Sequence, residues 1–390
     1  MNWNAVQEAF PINREMIWLN NCGMSPAGLP VAEAMRRFMT GFAERGPLTE
    51  TETFPATGAA IKAILSRLLN CPPDALALIH HTAEGMNIVS RGLTLGPEDE
   101  ILLLEDEYPS NVYPWRHWEK RGVTLKTVPA GPSPAAFLDE LRANITSRTR
   151  VAALSAVHWC TGMPYPLEKI GALLKERHIR FVLDGTQGVG MRPVDVDAAQ
   201  IDFMAFSAWK WLMGPSGLGV LYVRPERLDE LKPVFVGAQS VVKPQEHLPY
   251  KDELKPNAER FAVSTPSLAD WVWFRAALTF LEEIGFATVR ERIWELSTQL
   301  ARRLRKVGFQ LASDDFPDHP TGIVVCGRPE ADAKALVAAL QEAGVIAAER
   351  QGRVRFSPHV YNTPAQIDAA ARALSEVSLK DMYLRPVGKR

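Results

Sequence analysis

The sequence predicts an α/β fold: a mostly parallel central sheet with helices on both faces, followed by a smaller α+β C-terminal domain. Three observations carry this expectation. Short β-like runs alternate with helical patterns through the first two-thirds of the chain. Several of those runs are nearly continuous in apolar residues, as strands covered on both faces must be. The final fifth then changes texture, with short strands gathered around one helix.

Taken in order, ALALIH (75–80), EILLLE (100–105), VTLKTV (123–128), RVAALSAV (150–157), IRFVLD (179–184), IDFMAF (201–206) and LGVLYV (218–223) read as strands. Between them lie amphipathic stretches such as PLEKIGALLKERH (166–178), with apolar residues at helical spacing. Residues 234–260 are polar and loop-like, with Pro244, Pro249 and Pro256. Long helical patterns follow at 267–285 and 287–308. FQLAS (309–313), GIVVCG (322–327), GVIAAE (344–349) and RVRFS (353–357) read as strands around the helix EADAKALVAALQEAG (330–344). A large domain is expected over residues 15–260, with a small domain formed by 1–14 and 261–390.

The bulk composition excludes several classes of function. Of 390 residues, 46% are hydrophobic and 23% charged, and the net charge is −1. Such a balance offers no basic footprint for nucleic acid or an anionic membrane. Cys22, Cys71, Cys160 and Cys326 are scattered without a CxxC pair, which fits reduced thiols and neither a disulfide framework nor a zinc site. The first residues, MNWNAVQEAFPINREMIW, lack a signal-peptide core, and no apolar run reaches the ~18 residues of a membrane span. A cytoplasmic protein without a bound metal is expected.

Ligands of open α/β sheets bind beyond the carboxyl ends of the strands. After the first strand, Thr82 precedes a helix expected to begin near Glu84; it is either an anion-binding hydroxyl or a simple N-cap. Tyr108, past the second strand, is either a flat aromatic plate or a packing residue. Asp184 ends a strand and is followed three residues on by Gln187. A carboxylate there is costly unless paired, and either binds a protonated ring nitrogen or caps a helix. Ser207 opens SAWKWLMGPSGLG (207–219), where Lys210 stands between Trp209 and Trp211. A lysine among indoles either snorkels to water or is desolvated and becomes a nucleophile. Phosphate donors, an aromatic plate, a carboxylate and such a lysine at successive strand ends suit one ligand, pyridoxal 5′-phosphate.

On TAEGMN (82–87), DGTQGVG (184–190) and SAWKWLMGPSGLG, the chain resembles the class V aminotransferases, a family of the pyridoxal-phosphate transferase fold type I. The likeness runs from WLNNCGMSP (18–26) to RFSPHVYNTPAQID (355–368). It implies that Lys210 holds the cofactor as a Schiff base and carries the substrate Cα proton. It further implies that Asp184 pairs with the pyridine nitrogen, that Gln187 approaches the ring hydroxyl and that Tyr108 stacks on the ring. Thr82, the Ala83 backbone and Ser207 hold the phosphate, and Thr265 of RFAVSTPS reaches the phosphate of a neighbouring subunit in a homodimer. Arg355 clamps the carboxylate of a small α-amino acid. Transamination is the first expectation, with a C–S lyase or an epimerase as alternatives and a catalytically silent binding protein as the non-enzyme one.

Three departures separate the chain from the desulfurases of that family. The stretch AAERQGRVRFS (347–357) carries no cysteine, and Cys326 in its apparent strand is expected to be a buried small residue. Trp209 stands where a histidine is usual. HWCTG (158–162) replaces a segment that supplies an asparagine, with Trp159 at about that place and His158 expected to be structural.

Overall fold

The computed structural model describes residues 1–312, 320–329 and 331–384; Ser313 and Glu330, at the edges of two expected elements, lie outside them. After a short helix α1 (Trp3–Glu8) and strand β1 (Ile17–Trp18), two long helices follow, α2 (Leu29–Arg45) and α3 (Pro47–Leu69). The seven apolar runs then each form a strand: β2 (Leu76–Ile79), β3 (Glu100–Leu104), β4 (Thr124–Val128), β5 (Thr149–Ser155), β6 (Arg180–Asp184), β7 (Phe203–Ser207) and β8 (Gly219–Val223). Their order in the sheet is β2-β8-β7-β6-β5-β3-β4. From β4 to β7 every ladder is parallel, while β8 runs antiparallel to both β7 and β2. The carboxyl ends of β2, β3, β5, β6 and β7 therefore share one edge.

The uninterrupted apolar runs reflect a sheet with no wet face. Leu102, Leu104, Ala152, Leu154, Phe181 and Leu183 pack on one side, with Phe137 and Leu141 of helix α5 (Pro134–Asn144) and Ile170 and Leu174 of α6 (Leu167–Glu176). Their sequence neighbours Ile101, Leu103, Val151, Ala153 and Val182 pack on the other, with Met86 and Val89 of α4 (Thr82–Gly92). Period-two alternation is thus present but hidden, because both faces are apolar.

Helices α7 (Leu268–Ile284) and α8 (Phe286–Lys306) lead to the second lobe. There β9 (Gln310–Leu311), β10 (Val324–Gly327), β12 (Ala348–Arg350) and β13 (Arg353–Phe356) form an antiparallel sheet in the order β12-β13-β10-β9. Helices α9 (Ala333–Glu342) and α10 (Pro364–Leu384) accompany it. The expected strand 344–349 is split: β11 (Val345–Ile346) pairs in parallel with β1, and only β12 joins the small sheet. That partner lies more than three hundred residues away in sequence, so no local pattern announces the break. Cys326 is fully buried in the small lobe's core. Phe274, Leu278 and Ile293 belong to the large core, whereas Leu296, Leu300 and Leu304 belong to the small one. Where a lobe boundary is drawn is a matter of proposal: a cut at 260 follows the polar stretch, while the apolar cores part within α8. Among the described residues, no helix is long and apolar enough to cross a membrane.

One close approach sets the shared edge. A Cβ on Gly85 in α4 would lie 2.5 Å from Ala205 Cβ of β7 and 2.9 Å from Ile79 Cδ1. Hydrogen at this position is what lets α4 close on β7 and bring Thr82 against Ser207. Gly85→Ala is expected to destabilise the protein by about 1–3 kcal/mol, the usual cost of overpacking. It should also weaken phosphate affinity, which thermal denaturation and phosphate titration will show together.

Candidate active site

A cleft of about 390 Å³ opens at the shared strand edge and is closed from above by the small lobe. Its lining includes Thr82, Ala83, Tyr108, Asp184, Gln187, Ser207, Lys210 and Arg355. Of the residues expected to hold cofactor or substrate, Thr265 alone lies elsewhere: it is exposed, beside a larger cavity of about 590 Å³ that contains none of Lys210, Asp184 or Arg355.

At the end of β2, the helix begins at Thr82 itself, two residues earlier than expected. Its N-cap is His81, whose Nδ1 accepts from the Glu84 N–H at 3.0 Å. The Thr82 hydroxyl is thereby free of capping duty. It lies 2.7 Å from both the Ser207 and the Thr186 hydroxyls, so three buried hydroxyls meet at a helix start. The N–H groups of Thr82 and Ala83 have no intrahelical acceptor. Hydroxyls, open amides and a positive dipole end form an anion cradle. Thr186 was not read from the sequence, although it lies between Asp184 and Gln187.

Asp184 ends β6 and is 4% exposed, and its Oδ1 accepts from the Thr186 N–H at 2.9 Å. Desolvation raises its pKa, and the nearby Lys210 charge opposes that rise. Lys210 follows β7 in a tight turn, with Met213 N–H donating to its carbonyl at 3.1 Å. Ser25 ties the turn down: its N–H donates to the Trp209 carbonyl at 2.9 Å and its hydroxyl to the Lys210 carbonyl. Burial pushes the ammonium pKa down to about 8, against the attraction of Asp184; the nearby Arg355 and Arg350 lower it further. Lys210 Nζ lies 5.4 Å from the centroid of the Tyr108 ring.

The two indoles beside the lysine do different things. Trp209 lines the cleft. Trp211 is buried behind it and donates from Nε1 to Gln187 Oε1 at 2.9 Å, while Gln187 Nε2 donates to the Cys22 carbonyl at 3.0 Å. Trp159 also lines the cleft and meets Tyr108 edge-on, with centroids 5.3 Å apart. Its carbonyl accepts from Arg355 Nη1 at 2.7 Å. Arg355 is 2% exposed, and its Nε has no partner. His158 is buried beside the cleft with its Nδ1 accepting from the Thr161 N–H at 3.2 Å, a turn-bracing role.

Two further residues escaped the sequence reading. Arg350 reaches the cleft from β12. Glu107 is buried just behind it and accepts from Ser155 Oγ at 2.6 Å, the Tyr108 N–H at 2.7 Å and Asn111 Nδ2 at 3.2 Å. Ser155 lies beside Asp184 in the β5–β6 register, which brings Glu107 close enough for the two carboxylate charges to interact. Desolvation, reinforced by the Asp184 charge, raises its pKa to about 7. The signal was present: like Asp184, it is a carboxylate just past a buried strand.

A desolvated lysine facing a buried carboxylate, over a phosphate-sized cradle, defines a class: enzymes that carry pyridoxal phosphate at the edge of a parallel sheet. A family model described as aminotransferase class-V matches residues 17–370, and the chain belongs to that family of pyridoxal-phosphate-dependent enzymes. It is 32% identical to an isopenicillin N epimerase of Streptomyces clavuligerus, covering 80% of this chain and 83% of that protein. It is 25% identical to a probable cysteine desulfurase of Pyrococcus abyssi, over 95% and 96% of the two chains. Its fold matches a cysteine desulfurase structure from Escherichia coli with a TM-score of 0.86 at 24% identity, covering 97% and 98%.

Glu107 gives the site a pH signature. In the folded chain it keeps its proton up to about pH 7, against 4.5 for the group when free. Folding therefore holds the extra proton between those values, and stability falls as pH rises through that window, then levels off. Glu107→Gln removes the ionisation. Denaturant midpoints of the cofactor-free variant should fall less than those of the wild type between pH 5 and pH 8.

Proposed function

We propose that this enzyme acts at the Cα of a small α-amino acid, with Lys210 as its catalytic base and Arg355 as the carboxylate site, and that its reaction is transamination. The observation that carries the reading is that Lys210 and Asp184 line one cleft at the shared sheet edge, near enough for their charges to act on each other. Pyridoxal phosphate fits the residues present: a buried anion cradle, a buried carboxylate for a ring cation and an unpartnered guanidinium nitrogen in Arg355. Thr82, Ala83 and Ser207 would hold its phosphate, Asp184 its pyridine nitrogen, Gln187 its ring hydroxyl and Tyr108 its ring face. When bound, the cofactor supplies an electron sink that acidifies the substrate's Cα–H.

The chain's own groups do the rest. Asp184 is held as an acceptor by its Thr186 contact, so it favours a protonated ring nitrogen. Lys210 Nζ, with its pKa near 8, is an amine able to take and return a proton near neutrality. Arg355 is fixed by the Trp159 carbonyl and offers its remaining donors to a carboxylate. Trp159, Trp209 and Tyr108 wall the cleft and reduce its water.

A homodimer belongs to the same reading. Thr265 is exposed and outside its own cleft, as a residue supplied to a partner would be. Phe235, Val236, Leu248 and Tyr250 are exposed in the polar stretch 234–260, apolar side chains that a second copy would cover. A cytoplasmic setting completes the proposal. A persulfide-forming desulfurase fits less well, because the β12–β13 hairpin carries no cysteine.

Absorbance titration with amino acids, in the absence of keto acid, tests the reaction. A lasting loss of the visible band that a keto acid restores supports transamination. A band that returns unaided while keto acid is released points to β-elimination instead. Lys210→Ala is expected to abolish turnover and covalent retention of the cofactor while circular dichroism stays unchanged; an active variant would overturn the assignment. Arg355→Ala is expected to raise KM for carboxylate substrates at least tenfold while cofactor affinity changes less than twofold. Equal loss of both, read by steady-state kinetics and fluorescence titration, would make Arg355 structural.

A further inference from the structure

Arg355 does not come into the cleft alone. In the antiparallel pair β12–β13, Ala348 lies opposite Arg355 and Arg350 opposite Arg353. Residues two apart on a strand share a face, so Arg350, Arg353 and Arg355 project from the same side of the hairpin. Like charges facing each other across a ladder are destabilising. An acidic neighbour would relieve the cost, yet among the described residues neither Arg350 nor Arg355 forms a salt bridge. Arg350 Nη1 donates to the backbone carbonyl of Glu349 at 2.6 Å. The Glu349 carboxylate lies on the opposite face and accepts from the Gly352 N–H at 2.7 Å.

Both arginines line the cleft, and among the described residues Asp184 is the one carboxylate lining it with them. Asp184 sits at the floor of the site with Lys210, not with the hairpin. The phosphate cradle is equally separate, built from hydroxyls and amides at the start of α4. Neither guanidinium at the small-lobe wall has a carboxylate partner among the described residues, so both are open to charge that comes from outside the chain. One substrate α-carboxylate satisfies one of them. A half-buried arginine fork without a carboxylate is suited to a second acid group.

We propose that Arg350 binds a second acidic group on the substrate, so that the enzyme selects α-amino acids with an acidic side chain, of the aspartate and glutamate type. This rests on the reading of Arg355 as the α-carboxylate site. Arg350 is a specificity residue in this scheme. The diagonal separation of the two residues on the hairpin face, about 7–8 Å between backbones, lets two long side chains converge on the ends of one short diacid. A neutral side chain would leave the Arg350 fork desolvated and unpaired, which is the physical basis for rejection.

The test needs no turnover. Calorimetric titration of the cofactor-free protein compares glutarate with glutaramate, its neutral-ended half-amide, and uses inorganic phosphate as a control for the cradle. Wild-type protein should bind glutarate at least tenfold more tightly than glutaramate. Arg350→Gln should bring the two within twofold and leave phosphate affinity unchanged, and Arg350→Lys should restore part of the preference. Equal binding of the two probes by the wild type would overturn the proposal, as would an Arg350→Gln variant that loses phosphate affinity instead. The holoenzyme separates this from the underlying reading. If glutamate and glutamine perturb the cofactor spectrum with equal affinity, the Arg350 assignment fails while the amino-acid reading stands. If no amino acid perturbs it, the amino-acid reading fails, and the calorimetry still decides whether Arg350 selects diacids.

Discussion

Opposite charges taken out of water at one sheet edge are the constraint around which the molecule is arranged. Asp184 and Lys210 each lose hydration on burial, and each shifts toward its neutral form. An isolated pair of this kind contributes little to stability, since desolvation offsets most of the attraction. The surrounding fold must supply the difference. It does so with a sheet buried on both faces, whose strands other than β8 end at the same edge and hold the two groups in place.

Rigidity at that edge comes from contacts that are not themselves chemical. Gly85 lets α4 sit close enough for Thr82, Thr186 and Ser207 to share hydrogen bonds. Ser25, from the N-terminal segment, pins the turn that bears Lys210. Trp211 holds Gln187 from behind. The lysine between two tryptophans is therefore explained by two separate jobs: Trp209 keeps the cleft apolar, and Trp211 orients a polar neighbour. Glu107, held by Ser155, adds a second buried carboxylate behind Asp184, and its burial and the Asp184 charge favour its neutral form. On the opposite wall, the β12–β13 hairpin brings Arg350 and Arg355 to the cleft, and among the described residues neither forms a salt bridge.

Membership of a family that contains epimerases, desulfurases and aminotransferases does not by itself choose the outcome of Cα proton removal. The choice depends on what each face of the substrate meets. Here the candidate base is Lys210, and Cys326, which could have suggested sulfur chemistry, is sealed in the small-lobe core with burial pushing its thiol up to about 12. The small lobe instead brings two arginines, Arg350 and Arg355, to the wall of the cleft.

Much of this was legible in the residues alone. Seven strands were visible because strands covered on both faces are apolar throughout; Thr82, Asp184 and Ser207 stood out because each is polar where such a run stops, and Lys210 because it stands between two indoles. Local order determined those features. The tertiary structure decided what depends on distant partners: His81 caps α4 in place of Thr82, β11 leaves the small sheet to pair with β1, and Trp211 turns away from the cleft. Glu107 and Arg350 were overlooked for the same reason. A charged residue in a sequence is ordinarily solvated, and only the packing of Ser155 against one, and the register of a hairpin beneath the other, bring them to the site. Sequence sets which groups are available at each strand end; long-range contacts decide which of them lose water, and it is that loss that gives them chemistry.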